Sequence, residues 1–225
     1  DPLNQAVMAA WHAGIVVVAS AGNTGPDPMT IGVPCNVPYV ITVGAMTDNY
    51  TAADGSDDVL ASFSAPGPTY EGFLKPEVVA PGGHVMGVMK ANSTIATLHP
   101  EFHDGGKYFE MSGTSQATAV VSGMVALLLQ DQPWLTPNQV KCRVIASANP
   151  ATDGAGQLAY SVFQQGAGMV DVGAALDSDA WACANETINL RKDLSGHSHY
   201  GGPARQDLDT GEFYILDPYT GDTGD

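Results

Sequence analysis

The stretch Met111-Ser-Gly-Thr-Ser-Gln-Ala-Thr-Ala-Val-Val-Ser-Gly-Met-Val-Ala-Leu-Leu-Leu129 sets a small-residue turn, Gly113-Thr114-Ser115, directly before a run of apolar and small side chains. Such a turn mounts a hydroxyl on the N-terminus of a helix. Backbone N–H groups at a helix start lack intrahelical partners and carry partial positive charge, so they attract an anion that develops nearby. A serine there can attack a carbonyl while its own N–H steadies the oxyanion. Serine is also the ordinary N-cap residue, and on these few residues the cap is the simpler reading. Residues 116–130 are apolar nearly all round, with Gly123 in the middle. That pattern predicts a central, buried helix, closely packed at the glycine.

Outward from this helix the chain reads as alternating strands and helices. Asp1 and Pro2 form an N-cap and a first helical residue, Leu3, Val7 and Trp11 share one face, and Gly14 ends the helix. Residues 15–19, 40–45 and 76–80 are short apolar runs of the kind buried in parallel sheets. Loops rich in Gly, Pro and Asp, at 22–28 and 53–58 among others, separate them. Thr136-Pro137 opens a helix to about residue 148, amphipathic through Val140, Val144 and Ala148. Residues 166–171 read as a turn and short strand before a last helical turn near Ala175. This order predicts an α/β fold with a mainly parallel sheet over residues 1–177. Residues 178–225, rich in Asp, Gly and Tyr, read as an acidic C-terminal extension or linker with one strand at 212–216.

The 225 residues carry a net charge of −16 with 44% hydrophobic residues, which suits an acidic, soluble, exported protein. Nucleic acid and anionic membrane are disfavoured as partners because both require a basic face. Apolar runs stay shorter than a membrane span. Cys35, Cys142 and Cys183 are too few and too widely spaced for a disulfide framework or a metal motif; they read as buried free thiols, with one bridging pair left open.

Five blocks in order carry a more specific signal: Val16-Val-Val-Ala-Ser-Ala-Gly-Asn-Thr-Gly25, Phe63-Ser-Ala-Pro-Gly-Pro-Thr69, Lys75-Pro-Glu-Val-Val-Ala-Pro-Gly82, Gly113-Thr-Ser-Gln-Ala117 and Gln165-Gly-Ala-Gly-Met-Val-Asp171. Together they resemble the C-terminal half of the subtilisin-like serine protease domain, over residues 1–177. The resemblance implies the C-terminal portion of a doubly wound sheet sandwiched by helices, acting on polypeptide substrates outside the cell. It implies Ser115 as nucleophile and Asn23 as side-chain donor of the oxyanion hole, paired with the Ser115 N–H. Ser20, Ala21 and Gly22, with Gly113 and Thr114, would border the substrate. Asn23 also separates the chain from the related sedolisins, which carry an acidic residue there. Two positions depart from the family pattern: Gln116 replaces the usual Met, and Ala119 the usual Pro.

The family order is Asp, His, Ser, and neither an Asp-Thr-Gly after an apolar strand nor a His-Gly-Thr precedes Ser115. The chain starts at Asp1 without Met and reads as a piece whose N-terminal half holds both groups. It is therefore expected to be inactive alone and, with an uncovered sheet edge, to self-associate. The alternative within this reading is an inactive fragment or pseudoprotease acting only in binding. His12, His84, His99, His103, His197 and His199 read as solvated. Asp209-Thr-Gly211 and Asp222-Thr-Gly224 follow polar residues and lie after the serine, so they read as decoys. A calcium loop from Asp207 fails because its twelfth position is Pro218.

An α/β-hydrolase reading, with Asp171 and His197 or His199 completing a triad, leaves the Asn23 and Lys75 blocks unexplained. The chemistry requires no cofactor. The loop from Val33 to Val40 resembles a family cation site, which implies structural calcium on the backbone carbonyls of Cys35, Val37 and Val40. Asn49, Asn92 and Asn185 head glycosylation triplets.

Overall fold

The structure is a computed structural model that describes residues 1–51, 54–217, 220 and 223. Ala53, Pro218, Asp222 and Gly224, which bear on readings made above, lie outside the described residues. Helix α1 spans Pro2–His12, and the Asp1 carboxylate caps it by accepting from the Leu3 N–H at 2.8 Å. Its inward face is Asn4, Met8 and Trp11. The expected Leu3–Val7–Trp11 stripe is thus rotated by about one position, and Leu3 is 49% exposed. Both stripes share Trp11, and spacing alone does not choose between them.

The sheet is built from β1 (Val18–Ser20), β2 (Ile41–Thr47), β3 (Val59–Leu60) and β4 (Val78–Pro81). Strand β2 is central. It pairs in parallel with β1 (Val18 opposite Ile41) and with β4 (Val43 opposite Val78), while β3 adds an antiparallel pair at Met46–Leu60. Met169 extends the sheet by a parallel bridge to Val79. The apolar run of β2 is buried almost throughout, as a strand covered on both faces must be. By contrast β1 is only half-buried and pairs with β2 alone among the described residues, and Ile15 just before it is 58% exposed. This free edge is a template for pairing with another strand. Sizing chromatography of the isolated chain should show dimers or larger species; a monomer would contradict the prediction.

Strand β5 (Val85–Val88) and β6 (Tyr108–Met111) form an antiparallel hairpin around α2 (Thr94–Leu98). Helix α3 (Thr114–Asp131) follows, then α4 (Pro137–Ala146), α5 (Val162–Gln165) and α6 (Val172–Asp177). Helix α3 packs across β1, β2 and β4 through Ala117, Val121, Met124, Val125 and Leu128. It is not buried all round. Ser115, Ala119, Ser122, Gly123 and Ala126 are exposed in one stripe, with Leu127 at 47% beside it, and a Cβ added to Gly123 would meet nothing within 4 Å. Among the described residues, nothing packs closely at this glycine. Small residues repeated at helical spacing mark a face suited to close contact, but no described residue covers it. Helix α4 starts at Thr136 as expected, and the structure adds a capping box in which Gln139 returns the hydrogen bond.

Residues beyond 177 add α7 (Leu190–Leu194) and the hairpin of β7 (Ala204–Gln206) with β8 (Phe213–Ile215). This segment is tied to the core. Helix α7 contacts α1, the Asp193 carboxylate accepts a hydrogen bond from the buried Tyr39 hydroxyl, and Tyr200 joins the hydrophobic core. Burial, followed by that carboxylate, pushes the Tyr39 phenol above its ordinary value. Cys142 of α4 and Cys183 form a disulfide, and only Cys35 is free and buried. Of the two readings the spacing left open, one bridging pair holds in place of three free thiols; folding, not sequence spacing, brings Cys183 to α4. Closing this 41-residue separation constrains the unfolded chain, so Cys183→Ser should lower unfolding stability by about 2–4 kcal/mol in denaturant titrations.

Candidate active site

Strand β6 delivers the chain to Gly113, whose N–H donates to the Gly82 carbonyl at 2.8 Å. That bond fixes the start of α3 against the end of β4. Gly113 is the N-cap of α3 and offers no side chain to the first turn. Any Cβ at this position would stand 2.8 Å from Gln116 Oε1, forcing that side chain to shift, and would meet Asn23 Nδ2 at 3.4 Å in ordinary van der Waals contact. Thr114 is buried and Ser115 is exposed. The Ser115 N–H, in the first turn, finds no hydrogen-bond acceptor among the described residues.

Asn23 reaches this helix start from the loop after β1. Its Oδ1 accepts from the Thr114 N–H and from the Thr114 hydroxyl, both at 2.9 Å. The Thr114 hydroxyl in turn accepts from the Gly22 N–H at 3.2 Å. Holding the carboxamide by its oxygen leaves its NH₂ group available as a donor beside Gly113. Gly22 has φ +116°, a left-handed conformation that glycine adopts without steric cost, and its carbonyl accepts from the Ala65 N–H at 3.0 Å. Ala21 is buried and bonded to Val43, and Ser20 lies in β1. Ser20, Ala21, Gly22, Asn23, Gly113, Thr114 and Ser115 are thus drawn to one region. Thr114 as the clamp on Asn23 was not legible in the sequence; a hydroxyl one residue before the candidate nucleophile is the only hint.

None of the six histidines has a hydrogen bond to Ser115. Two of them are not simply solvated, contrary to expectation. His84 bonds Thr47 at 3.2 Å and stacks on Tyr50, and both ring nitrogens of His103 are engaged, by the Met89 carbonyl and the Gly105 N–H. Asp171 caps α6, and His197 bonds Ser195, so neither completes an α/β-hydrolase triad with Ser115. Asp209-Thr-Gly211 lies in the turn between β7 and β8, organised by the Asp207 carboxylate. Asn185 donates to the Tyr39 carbonyl and to Asn138, which occupies its amide group.

The loop before β2 does not suit a cation on its carbonyls. The Cys35 carbonyl accepts from the Thr42 hydroxyl at 2.8 Å. The Val40 carbonyl accepts from two ammonium groups, Lys75 at 3.0 Å and Lys141 at 3.2 Å. Two positive charges therefore stand where an added cation would be repelled. Both lysines clasp Glu77, at 2.6 and 2.7 Å, and Glu77 accepts from the Thr42 N–H at 2.7 Å. All three side chains are almost wholly buried. Burial alone would raise the Glu77 carboxyl, yet Lys141 and then Lys75 hold it below its usual value. Burial also brings the Lys75 ammonium down to about 7, against the pull of Glu77. Lys75 and Glu77 share one short motif, and Lys141 joins them only through the fold.

A mixed α/β fold with parallel strands, presenting a serine at the N-terminus of a helix packed on the sheet, is the architecture of one class of serine peptidases. The model of the subtilase family of peptidases matches residues 1–168, and the chain belongs to that family. It is 50% identical over 141 residues to serine protease AprX of Bacillus subtilis (strain 168), covering 63% of this chain and 32% of AprX. It is 34% identical over 175 residues to subtilisin DY of Bacillus licheniformis, covering 77% of this chain and 51% of that protein. The chain thus spans a third to a half of these relatives. Among solved structures it resembles fervidolysin from Fervidobacterium pennivorans, a keratinolytic enzyme related to subtilisin, with a TM-score of 0.60 and 28% identity over 80% of this chain and 25% of that one.

Proposed function

We propose that this chain is the serine-bearing part of an endopeptidase that cleaves polypeptides through an acyl-enzyme. Ser115 Oγ attacks the scissile carbonyl and gives its proton to a histidine base. The carbonyl oxygen becomes an oxyanion held by the Ser115 N–H and Asn23 Nδ2. Collapse of the tetrahedral intermediate breaks the C–N bond, and the base returns the proton to the leaving amine. Water then adds to the acyl-serine and releases the acid. Ser20, Ala21 and Gly22 border the substrate on one side, and Gly113 and Thr114 shape the approach to Ser115.

The observation that carries this reading is the pair of hydrogen bonds from Thr114 to Asn23 Oδ1, which leaves the amide donor beside an unpartnered first-turn N–H. We assign the histidine base and its orienting aspartate to an N-terminal half of the domain, in keeping with the family order. The free edge of β1 and the open stripe of α3 are the surfaces this half would cover. Export suits the Cys142–Cys183 disulfide, because such bonds persist in oxidising compartments. No helix among the described residues is long and apolar enough to cross a membrane.

Casein cleavage tests the proposal: the isolated chain should be inactive, and the complete domain active. A complete, folded domain that cleaves nothing would favour the second reading, a binding-only protein, which rests on the lack of any described histidine bonded to Ser115. Within an active domain, Asn23→Ala should lower kcat about 10²–10³-fold with little change in KM, an effect size drawn from subtilisin itself. Equal kcat would remove Asn23 from the oxyanion hole.

A further inference from the structure

A cavity of about 380 Å³ opens where α1, the loop before β2, the Glu71 turn and the segment after α7 meet, lined by Asn4, Asn36, Glu71, Asp193, His199 and Tyr200 among others. Five buried side-chain nitrogen or oxygen atoms lack a hydrogen-bond partner among the described residues. Three of them, Asn4 Oδ1, Asn36 Oδ1 and Glu71 Oε2, belong to residues lining this one cavity. All three are acceptors. Asn4 is 7% exposed, so solvent does not satisfy it from outside. An unpaired buried acceptor is costly, and three around one space call for an occupant that supplies positive charge or hydrogen.

Charge decides between those two. Glu71 carries one negative charge on the wall. Asp193 carries a second, its oxygens taken by the Tyr39 and Ser198 hydroxyls, and Asp1, whose Oδ1 caps α1, a third. The basic side chain on this wall is His199, which is 70% exposed and only 4.0 Å from Glu71 Oε1. No lysine or arginine lines the cavity. Burial, then the Glu71 and Asp193 carboxylates, push the Tyr200 phenol up to about 12, in keeping with a strongly negative enclosure.

We propose that this cavity binds a divalent cation of the calcium type through Glu71, Asn36 and Asn4. A carboxylate with two amide oxygens is a hard-oxygen donor set, which calcium accepts at 6–8 positions completed by water or carbonyls. Metals that prefer thiolate or imidazole do not fit, since the lining holds no cysteine and a single histidine, the exposed His199. The site is separate from the Val40 carbonyl filled by Lys75 and Lys141. A cation here would join α1, the loop before β2 and the Glu71 turn beside the segment carrying Tyr200. The proposal does not depend on the peptidase reading.

The test uses the complete protein with Ser115→Ala to prevent self-digestion. Calcium at a hundredfold excess over its Kd should raise the melting temperature by about 5 °C or more. Terbium should luminesce on tyrosine excitation, through the adjacent Tyr200, and calcium should compete it away. The double variant Glu71→Gln, Asn36→Ala should lose both responses, while Asn36→Asp, which adds a ligand charge, should bind calcium several-fold more tightly. Absence of both responses in the starting protein would show that the cavity holds water only. Responses that persist in the double variant would place the ion elsewhere. Should the double variant fail to fold, unchanged calcium affinity in Asn36→Asp would overturn the site.

Discussion

Alanine at position 115 should reduce kcat of the complete domain about 10⁶-fold while leaving the fold and substrate binding intact. The magnitude is the one seen when the nucleophile of subtilisin is removed. Its physical basis here is local. Ser115 is exposed at the start of a helix whose buried face packs on β1, β2 and β4, so loss of one hydroxyl disturbs no packed surface. The helix start itself is held by Gly113 to Gly82 and by Thr114 to Asn23, bonds that do not involve the Ser115 side chain. The residual rate would come from the oxyanion donors and substrate binding. Steady-state kinetics on a peptide substrate measure this directly. A loss below about tenfold would show that another group attacks the carbonyl.

The second large effect concerns stability. Glu77→Gln keeps the shape of the side chain but removes the only negative charge between two buried ammonium groups, Lys75 and Lys141. Breaking a buried ion network by deleting one partner costs about 3–5 kcal/mol: both ammonium groups lose their counter-charge, and Lys75, already brought down to about 7, is driven towards its neutral form. Denaturant unfolding should show a loss of that size; a change under 1 kcal/mol would contradict it. The pH dependence follows with definite sign. In the folded chain Glu77 lies below its ordinary value of 4.5, so its stabilisation is present above 4.5 and is lost as pH falls through the folded value. Lys75 is depressed from 10.5 to about 7, so between those values the unfolded chain binds a proton that the native chain does not. Stability from this group therefore rises with pH across that window. Lys75→Met should flatten that rise.

Much of the fold was legible because it rests on local pattern. The apolar runs at β1, β2 and β4, the Asp1 cap of α1 and the Thr136-Pro137 start of α4 are all encoded within a few residues. The hairpin of β5 and β6 was missed because exposed Met86, Gly87 and Val88 give no inward–outward alternation. The ion triad was missed because Lys141 lies far along the chain from Glu77, and only the fold brings them together. The same holds for Cys142 with Cys183 and for Tyr39 with Asp193. The α3 stripe misled for a different reason: small residues that invite contact look alike whether or not a neighbour is present. At the candidate site, Ser115 and Asn23 were readable through the resemblance of their flanking blocks. The Thr114 clamp that unites them became visible only in three dimensions.

The central claim is that Ser115 becomes a nucleophile when the domain is complete. Its most direct measurement is reaction of the complete domain with a fluorophosphonate, followed by peptide mapping by mass spectrometry. The predicted result is one phosphonyl group per molecule, on Ser115, and none in the isolated 225-residue chain. A folded, complete domain left unlabelled, or labelled at another residue, would contradict it.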